Sequence, residues 1–539
     1  MTAEIPSRRR WLSLLVVSLG VAMIIVDATI VNVAVPAVIT DLGATSSDAQ
    51  WIQESYTLVF AALLLVAGRT ADQVGRRRLF MAGVAVFALA SIGCALAPTP
   101  PLLITGRLVQ GIGGAMILPT SLSLLNATFT GRERGIAFAV WGSTIGGTAA
   151  LGPLLGGWLT TDLSWRWAFG VNVPLGALLL VGAGLLLTES REPRTGHGND
   201  WAGAVLSVVT MAGLVFGLIQ GRSYGWFERT GPVDVAGLSW TARLSPVPFG
   251  FALAAAGLIV FILVERRRNA AGRPVLLDLS LFAIPSFRNG NLVAGVVSLG
   301  EFGLLFALPL WLQNVHGYSA FETGLALLPL AAGSFLASGL AVPLTAARGP
   351  IFAVRAGIVL EIAGVVGTGL VAAPDTAWWQ ITPMLFVYGV GVGLATAQIT
   401  GVVLADVPVA MSGQGSGTQS TTRQLGSALG IAVLGTVLFS TTAGQLTTAL
   451  DSRGVAESQR SAVVSAVEDS AGAAIPGLAA DPRTAALAGD AAQALSTATR
   501  YTAFTAAGFL LLGLLASARL TRAARHTPDT AAVPEGLHE

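Results

Sequence analysis

The stretch from Trp51 to Ala97 reads WIQESYTLVFAALLLVAGRTADQVGRRRLFMAGVAVFALASIGCALA. It contains two apolar runs, 51–68 and 79–97, parted by a segment that carries Asp72, Arg69 and the cluster Arg76-Arg77-Arg78. A helix needs about 20 predominantly apolar residues to cross a hydrocarbon core of about 30 Å, and each run approaches that length. Neither alternates with the period of two that a barrel strand requires. The stretch therefore reads as two membrane-spanning helices joined by a charged loop.

Composition extends that reading to the whole chain. Charged residues make up 11% of the 539, against about 25% in soluble domains. Hydrophobic residues make up 53%, more than a soluble interior of this size could hide, so lipid is the solvent for most of the surface. Fourteen spans are expected, at 12–36, 51–68, 79–97, 101–126, 135–159, 168–188, 201–220, 247–264, 289–312, 322–345, 351–372, 378–404, 424–445 and 501–520. The run from Trp11 to Pro36 is too long for a signal-peptide core and reads as a retained first span.

Every basic residue is Arg, and the net charge of +2 calls for no acidic or nucleic-acid partner. Arg8-Arg9-Arg10, Arg76-Arg77-Arg78 and Arg266-Arg267-Arg268 each flank an apolar run, as topology signals do. With the N-terminus inside, 21 arginines fall on the inner side and 8 on the outer, with Arg107 and Arg423 within or at the edge of spans. Both termini are thus expected in the cytoplasm, with the protein in the cytoplasmic (inner) membrane. Cys94 is the only cysteine, and His197, His316, His526 and His538 lack ligand spacing, so no metal site or cofactor is expected. The connection 446–500 reads as a long outer loop, either a helical hairpin or a tether.

The loop GRTADQVGRRRL, Gly68 to Leu79, resembles the G-x-L-A-D-x-x-G-R-R-x-x-L signature of the major facilitator superfamily, with Thr70 where Leu is usual. The resemblance implies a conformational latch on the cytoplasmic side, formed by Gly68, Asp72, Gly75, Arg76 and Arg77. Further strings are VDATIVNVAVPAV (Val26 to Val38), RLVQGIGGA (Arg107 to Ala115), GGTAALGPLLGGWL (Gly146 to Leu159), WRWAFGVNVPLG (Trp165 to Gly176) and TTRQLGSALGIAVLGTV (Thr421 to Val437). Together with fourteen spans they look like the drug:proton antiporter branch of that superfamily. The implied fold is an all-α facilitator-type transporter. A six-helix bundle over 1–195 and another over 271–539 would flank two inserted helices over 196–270. The counterpart of the loop signature, GLAVPLTAARGP (Gly339 to Pro350), keeps Gly339 and Arg348 but has no acid.

In the fifth span Gly147, Gly152, Gly156 and Gly157 strip side chains from a helix so that a neighbour can approach closely, and Pro153 invites a kink. In the family this string is associated with exporters that exchange substrate for protons. Here it departs slightly, with Thr148 four residues before Gly152.

An ionisable group within the membrane costs several kcal/mol, so each one needs a reason. Asp27 lies about 22 Å along the first span at 1.5 Å per residue, and Arg107 falls at a similar depth in the fourth. The two could neutralise each other and be separated by a proton or a cation. Glu301 and Glu361 fall near mid-span, and removal from water gives a carboxyl the proton affinity that a carrier needs. Glu54 lies near the outer end of its span, where it could snorkel or act. Asp406 and Arg423 read as structural charges at a span edge. Phe302, Phe306, Trp311, Trp378, Trp379, Phe386 and Tyr388 could line an apolar cavity, although Trp311, Trp378 and Trp379 fit an interfacial belt.

The expectation is a monomeric exporter of small hydrophobic or cationic organic molecules such as drugs or antibiotics, driven by protons through alternating access. A same-fold exporter of an endogenous lipid or metabolite has the same sequence features. A membrane-embedded enzyme would carry clustered His or paired acids, and the chain has neither. A P-loop needs a Lys that this chain lacks, so no nucleotide is expected.

Overall fold

The computed structural model describes residues 7–44, 46–191, 200–230, 233–235 and 238–520. The expected boundary at 195–196 and Arg194, Arg522 and Arg525 lie outside the described residues, as does the side chain of Pro153.

The first half comprises α1 (Ser7–Leu42), α2 (Ser46–Val74), α3 (Arg76–Ala95), α4 (Pro100–Thr128), α5 (Gly131–Asp162), the single turn α6 (Trp167–Gly170) and α7 (Asn172–Leu186). Two inserted helices follow, α8 (Trp201–Tyr224) and α9 (Val247–Ala270), with the short strands β1 (Val233–Val235) and β2 (Leu238–Trp240) between them. The second half comprises α10 (Pro285–Asn314), α11 (Ala320–Arg348), α12 (Pro350–Val371), α13 (Trp378–Leu404) and α14 (Ser412–Ser452), then the short α15 (Glu457–Asp469) and α16 (Ala474–Ala480), and finally α17 (Ala485–Ala516). Thirteen helices among the described residues meet the length and apolarity of a membrane span, and α5, at 32 residues, is the fourteenth long helix.

Local chemistry sets several boundaries. Pro100, Pro285 and Pro350 open α4, α10 and α12 at positions where the missing N–H is not needed. Ser319 and Glu322 close a reciprocal capping box on α11, and Asp200 caps α8 through the Gly203 amide at 2.8 Å. Burial then sorts the helices. α13 is mostly buried and α9 mostly exposed, so α13 is interior while α9 lies at the periphery beside α8. On α7, Leu178, Val181 and Leu185 are exposed at helical spacing, the stripe that a lipid-facing helix presents.

The antiparallel pair β1–β2, in register Val233↔Trp240 to Val235↔Leu238, lies between α8 and α9. The segment 446–500 is mostly helical. α14 runs on to Ser452, α17 begins at Ala485, and α15 and α16 pack between them around Leu446, Leu450, Val463, Val467, Ile475 and Leu487. This apolar cluster gives the short helices something to bury, and the Asn314 amide ties them to α10 by donating to the Ala471 carbonyl at 3.0 Å. Trp311 is fully buried and donates to Ser496, so it is a core residue and not part of an interfacial belt; Trp378 and Trp379 remain exposed.

Candidate functional site: a central cavity, a buried ion pair and a latch

The two halves meet along α5 against α11 and α13, and along α2 against α14. Between them lies a cavity of about 220 Å³. Ile24, Tyr56 and Trp141 wall it from the first half, and Glu301, Phe302 and Arg423 from the second. The lining is mostly apolar, as in small-molecule sites that use a few polar groups to orient a ligand.

Glu301 of α10 is almost completely buried, and its Oε2 receives no hydrogen bond. Arg423 Nη2 lies 3.9 Å away, close enough for attraction but too far for a hydrogen bond. Arg423 is not an edge charge. α14 begins at Ser412, earlier than apolarity alone suggested, so Arg423 sits well inside the helix and faces the cavity. Glu361 of α12 is fully buried without a donor to either oxygen, and it does not line the cavity. The Tyr388 hydroxyl donates to the Glu301 backbone carbonyl at 2.9 Å, holding α13 to α10 at this level.

Asp27 and Arg107 meet as the sequence depths imply. Arg107 Nη1 donates to Asp27 Oδ2 at 2.5 Å, and both side chains are buried. Gln110 Nε2 donates to Asp27 Oδ1 at 3.2 Å and the Asn172 amide donates to the same oxygen at 2.7 Å. Arg107 donates further to Gln110 Oε1 and to the Ile52 carbonyl, and its guanidinium lies 4.4 Å from the centre of the Tyr56 ring. A buried ion pair is tolerable only with this much secondary bonding. Tyr56 also lines the cavity while Asp27 does not, so Tyr56 connects the ion pair to the cavity wall. Gln110 and Asn172 were not foreseen, although both are polar residues inside the quoted strings.

Glu54 accepts from Gln220 of α8 at 2.5 Å, a link between the first half and the inserted pair and not a snorkelling contact.

At the end of the bundle that carries both described chain ends, the loop residues form a bridge between the halves. Gly68 lies where α2 crosses α14, so close to Gly413 and Gly417 that a Cβ would strike their backbone. Asp72 is fully buried. It accepts from Arg76 at 2.9 Å and from the first-turn amides of α14, Gly413 at 2.8 Å and Gln414 at 3.0 Å. A carboxylate there satisfies orphan donors and meets the positive end of the helix dipole. Arg76 also donates to the Val409 carbonyl at 2.6 Å. Gly75 has φ of +119°, which only glycine adopts readily, and its turn sets the Arg77 and Arg78 amides on Glu189 at 3.2 and 3.1 Å. Arg77 itself donates to the Gly184 carbonyl. Glu189 was missed because it lies more than a hundred residues from the loop it holds.

The glycines of α5 make close approaches on two sides. Gly152 and Gly156 press on Thr29 and Ile30 of α1, while Gly147 and Gly157 face Phe335 and Phe321 of α11. Missing side chains on two faces thus seat α5 against its own half and against the other.

Comparison with known proteins agrees with this architecture. Residues 17–431 match the sequence model of the Major Facilitator Superfamily. The probable actinorhodin transporter of Streptomyces coelicolor is 35% identical over 457 residues, covering 83% of this chain and 75% of that protein. The tetracenomycin C resistance and export protein of Streptomyces glaucescens is 33% identical, covering 80% and 76%. The multidrug efflux pump LfrA of Mycolicibacterium smegmatis is 34% identical, covering 81% and 82%. The fold is similar to that of the human organic anion transporter MFSD10 (TETRAN), with a TM-score of 0.58, 15% identity and coverage of 95% of this chain and 100% of the other. The sequence match over most of the chain and the fold agree: this chain belongs to the Major Facilitator Superfamily and is a multi-pass membrane transporter, not an enzyme.

Proposed function

We propose that the protein exports small, largely apolar organic molecules of the drug and antibiotic kind from the cytoplasm in exchange for protons. The observation that carries this is the cavity between the halves. It is mostly apolar, it holds aromatic rings from both sides, and it contains one buried carboxylate oxygen without a donor. The named roles of the actinorhodin, tetracenomycin C and LfrA relatives support the substrate class.

In this reading the latch end faces the cytoplasm. The bonds from Asp72 to α14, from Arg76 to Val409 and from Asn126 to Ser412 hold that side shut. They alternate with a state in which they are broken and the cavity opens inward. A ligand or proton shifts this balance only by binding one state better than the other. A proton on Asp27 would neutralise the partner of Arg107, freeing the guanidinium that stacks on Tyr56 in the cavity wall. A proton on Glu301 would weaken its attraction to Arg423 across the same cavity. Glu361, behind that wall, is a further proton-accepting candidate in the second half.

Everted membrane vesicles test the proposal. A planar cation such as ethidium should accumulate when a proton gradient is imposed, and its addition should dissipate that gradient. Accumulation that survives an uncoupler would overturn proton exchange. The absence of any transport across a panel of polycyclic antibiotics and dyes would overturn the substrate class.

A further inference from the structure

The transport mechanism leaves one buried pair of carboxyls unused. Glu265, near the end of α9, is fully buried, and Asp200, the cap of α8, has a side chain only 2% exposed. An oxygen of each crowds the same point beside Gly203, so that a methyl there would overlap both. Asp200 is well supplied with donors: the Gly203 amide at 2.8 Å, the Leu276 amide at 3.1 Å and Arg268 Nε at 3.2 Å. Glu265 is not. Neither of its oxygens meets a donor at hydrogen-bond geometry, although the amides of Leu276 and Leu277 face it.

Among the described residues, the charge balance of this cluster is incomplete. Arg266 and Arg267 on α9 and Arg273 beyond it are exposed, and Asp278 is engaged with Ser280 and Asn269. From the elements packed on α8, α2 brings Arg69 and Asp72 at this end, and Asp72 is committed to Arg76 and α14. Among the described residues, that leaves two carboxyls beside the one guanidinium seen to meet them, and Arg268 also donates to the Pro274 carbonyl. Two ionised carboxylates so close in a dry site repel each other, whereas one proton shared between them removes the excess charge and supplies the missing donor.

A hydrogen-bonded path leads from this pair to the latch. The Leu276 amide holds Asp200, and two residues on the Asp278 amide donates to Gln414 Oε1 at 2.7 Å. Gln414 is the residue whose own amide donates to Asp72. The segment 271–278 thus joins the base of the inserted helices to the first turn of α14.

We propose that Asp200 and Glu265 form a proton-binding site at the base of α8 and α9 and that its occupancy sets how firmly the latch is held. With one proton bound, the segment 271–278 keeps the position seen here and braces Gln414. When the proton leaves for solvent on that face, repulsion between the carboxylates displaces Leu276 and Asp278, and the brace on the latch weakens. The site serves a regulatory purpose distinct from exchange at Asp27 or Glu301 and does not depend on it. Placing it in the cytoplasm rests on the orientation proposed above.

The test uses the full-length protein in lipid nanodiscs. Infrared difference spectra of wild type against Glu265→Gln should contain a protonated-carboxyl carbonyl band that falls as pH rises. Spin labels at Val74→Cys and Val409→Cys, in a Cys94→Ser background, report the gate distance. Raising the pH should lower the closed population of the wild type by about two-fold or more. In Glu265→Gln, which mimics the protonated state, that response should be lost and the gate should stay closed. Gln414→Ala should keep the infrared band yet lose the response, because the relay is cut. Asp200→Asn, which retains its acceptor oxygen, provides a second closed-gate variant if Glu265→Gln folds poorly. An unchanged carbonyl band in Glu265→Gln would overturn the site. A gate that follows pH in Glu265→Gln as it does in wild type would overturn the coupling. Neither readout requires transport, so failure of the export proposal would not be mistaken for failure of this one.

Discussion

Asp72 Oδ1 accepts the backbone amide of Gly413 at 2.8 Å, so a carboxylate of the second helix caps a helix of the other half, 341 residues further along the chain. The same carboxylate accepts Gln414 and Arg76, and no water reaches it. The loop signature therefore contributes more than topology. It provides a cap for α14.

Asp72→Asn tests that role. The variant keeps the shape but has one acceptor oxygen where there were two, and no charge for Arg76. Hydrogen bonds to charged groups contribute about 1.5–3 kcal/mol each, so the latched state should lose about ten-fold or more in population. Insertion and melting temperature should stay close to wild type, while export falls and cysteine crosslinking between the ends of α2 and α14 slows. Wild-type export and crosslinking together would reduce the loop to a topology signal.

Gly152→Ala tests the close packing of α5. A single methyl there meets Thr29 and the backbone of Ile30 on α1, and overpacking typically costs about 1–3 kcal/mol. The expected result is a lower melting temperature with reduced export. Gly135→Ala on the same helix meets nothing within 4 Å, and helix propensity predicts that it is neutral or slightly stabilising. Equal effects of the two substitutions would show that the stripe matters for backbone flexibility and not for contact.

How much of this was legible in the sequence depends on how locally each feature is encoded. The spans were legible because a lipid-exposed helix must be apolar along its own length. The first turns of α14, SGQGSGTQST from Ser412 to Thr421, were not. They are polar and small, yet buried, because they lie in the interface between the halves and not in lipid. Missing them misplaced Arg423 at an edge. The start of α17 at Ala485 was hidden because its first turns are small residues that pack on the short helices α15 and α16 and not in lipid. Asp27 and Arg107 could be paired by depth alone, since charges are rare in spans, whereas uncharged Gln110 and Asn172 do not stand out in composition. Gly413 as the partner of Asp72 was beyond sequence reasoning, because a backbone amide has no sequence signature.

Glu301 should govern which substrates the cavity prefers. Its Oε2, which receives no hydrogen bond, offers a bonding site to a cationic or hydroxyl-bearing ligand, and Arg423 opposite offers the reverse. Glu301→Gln removes the charge while keeping the volume. Export of ethidium should fall about ten-fold, a cost of about 1.4 kcal/mol, with a much smaller effect on a neutral substrate of similar size. Transport rates for both compounds in the same vesicles decide it. Equal losses for both would move Glu301 from substrate choice to the proton cycle, where Glu361→Gln should then produce a similar defect.

Asp27 gives the sharpest separation of structure from mechanism. Its carboxylate is held by Arg107, Gln110 and Asn172, and removing one member of a buried pair commonly costs about 3–5 kcal/mol because the other charge is left uncompensated. Arg107 here keeps the Ile52 carbonyl, Gln110 Oε1 and the face of Tyr56, so Asp27→Asn should lose less than that and still fold. In a transporter that protonates Asp27 in each cycle, the neutral side chain resembles one normal state, fixed in place. Coupled export should then collapse while substrate still binds in the cavity, since Asp27 does not line it. Asp27→Glu retains a titratable group and should recover part of the activity. Gln110→Ala provides the structural comparison, because it loosens the same network without removing a proton acceptor, and it should lower the melting temperature more than it lowers proton coupling. The deciding measurements are ligand binding, melting temperature and substrate-induced proton release for all three variants. A well-folded Asp27→Asn that still couples export to protons would remove this residue from the cycle and leave Glu301 and Glu361 as the carriers.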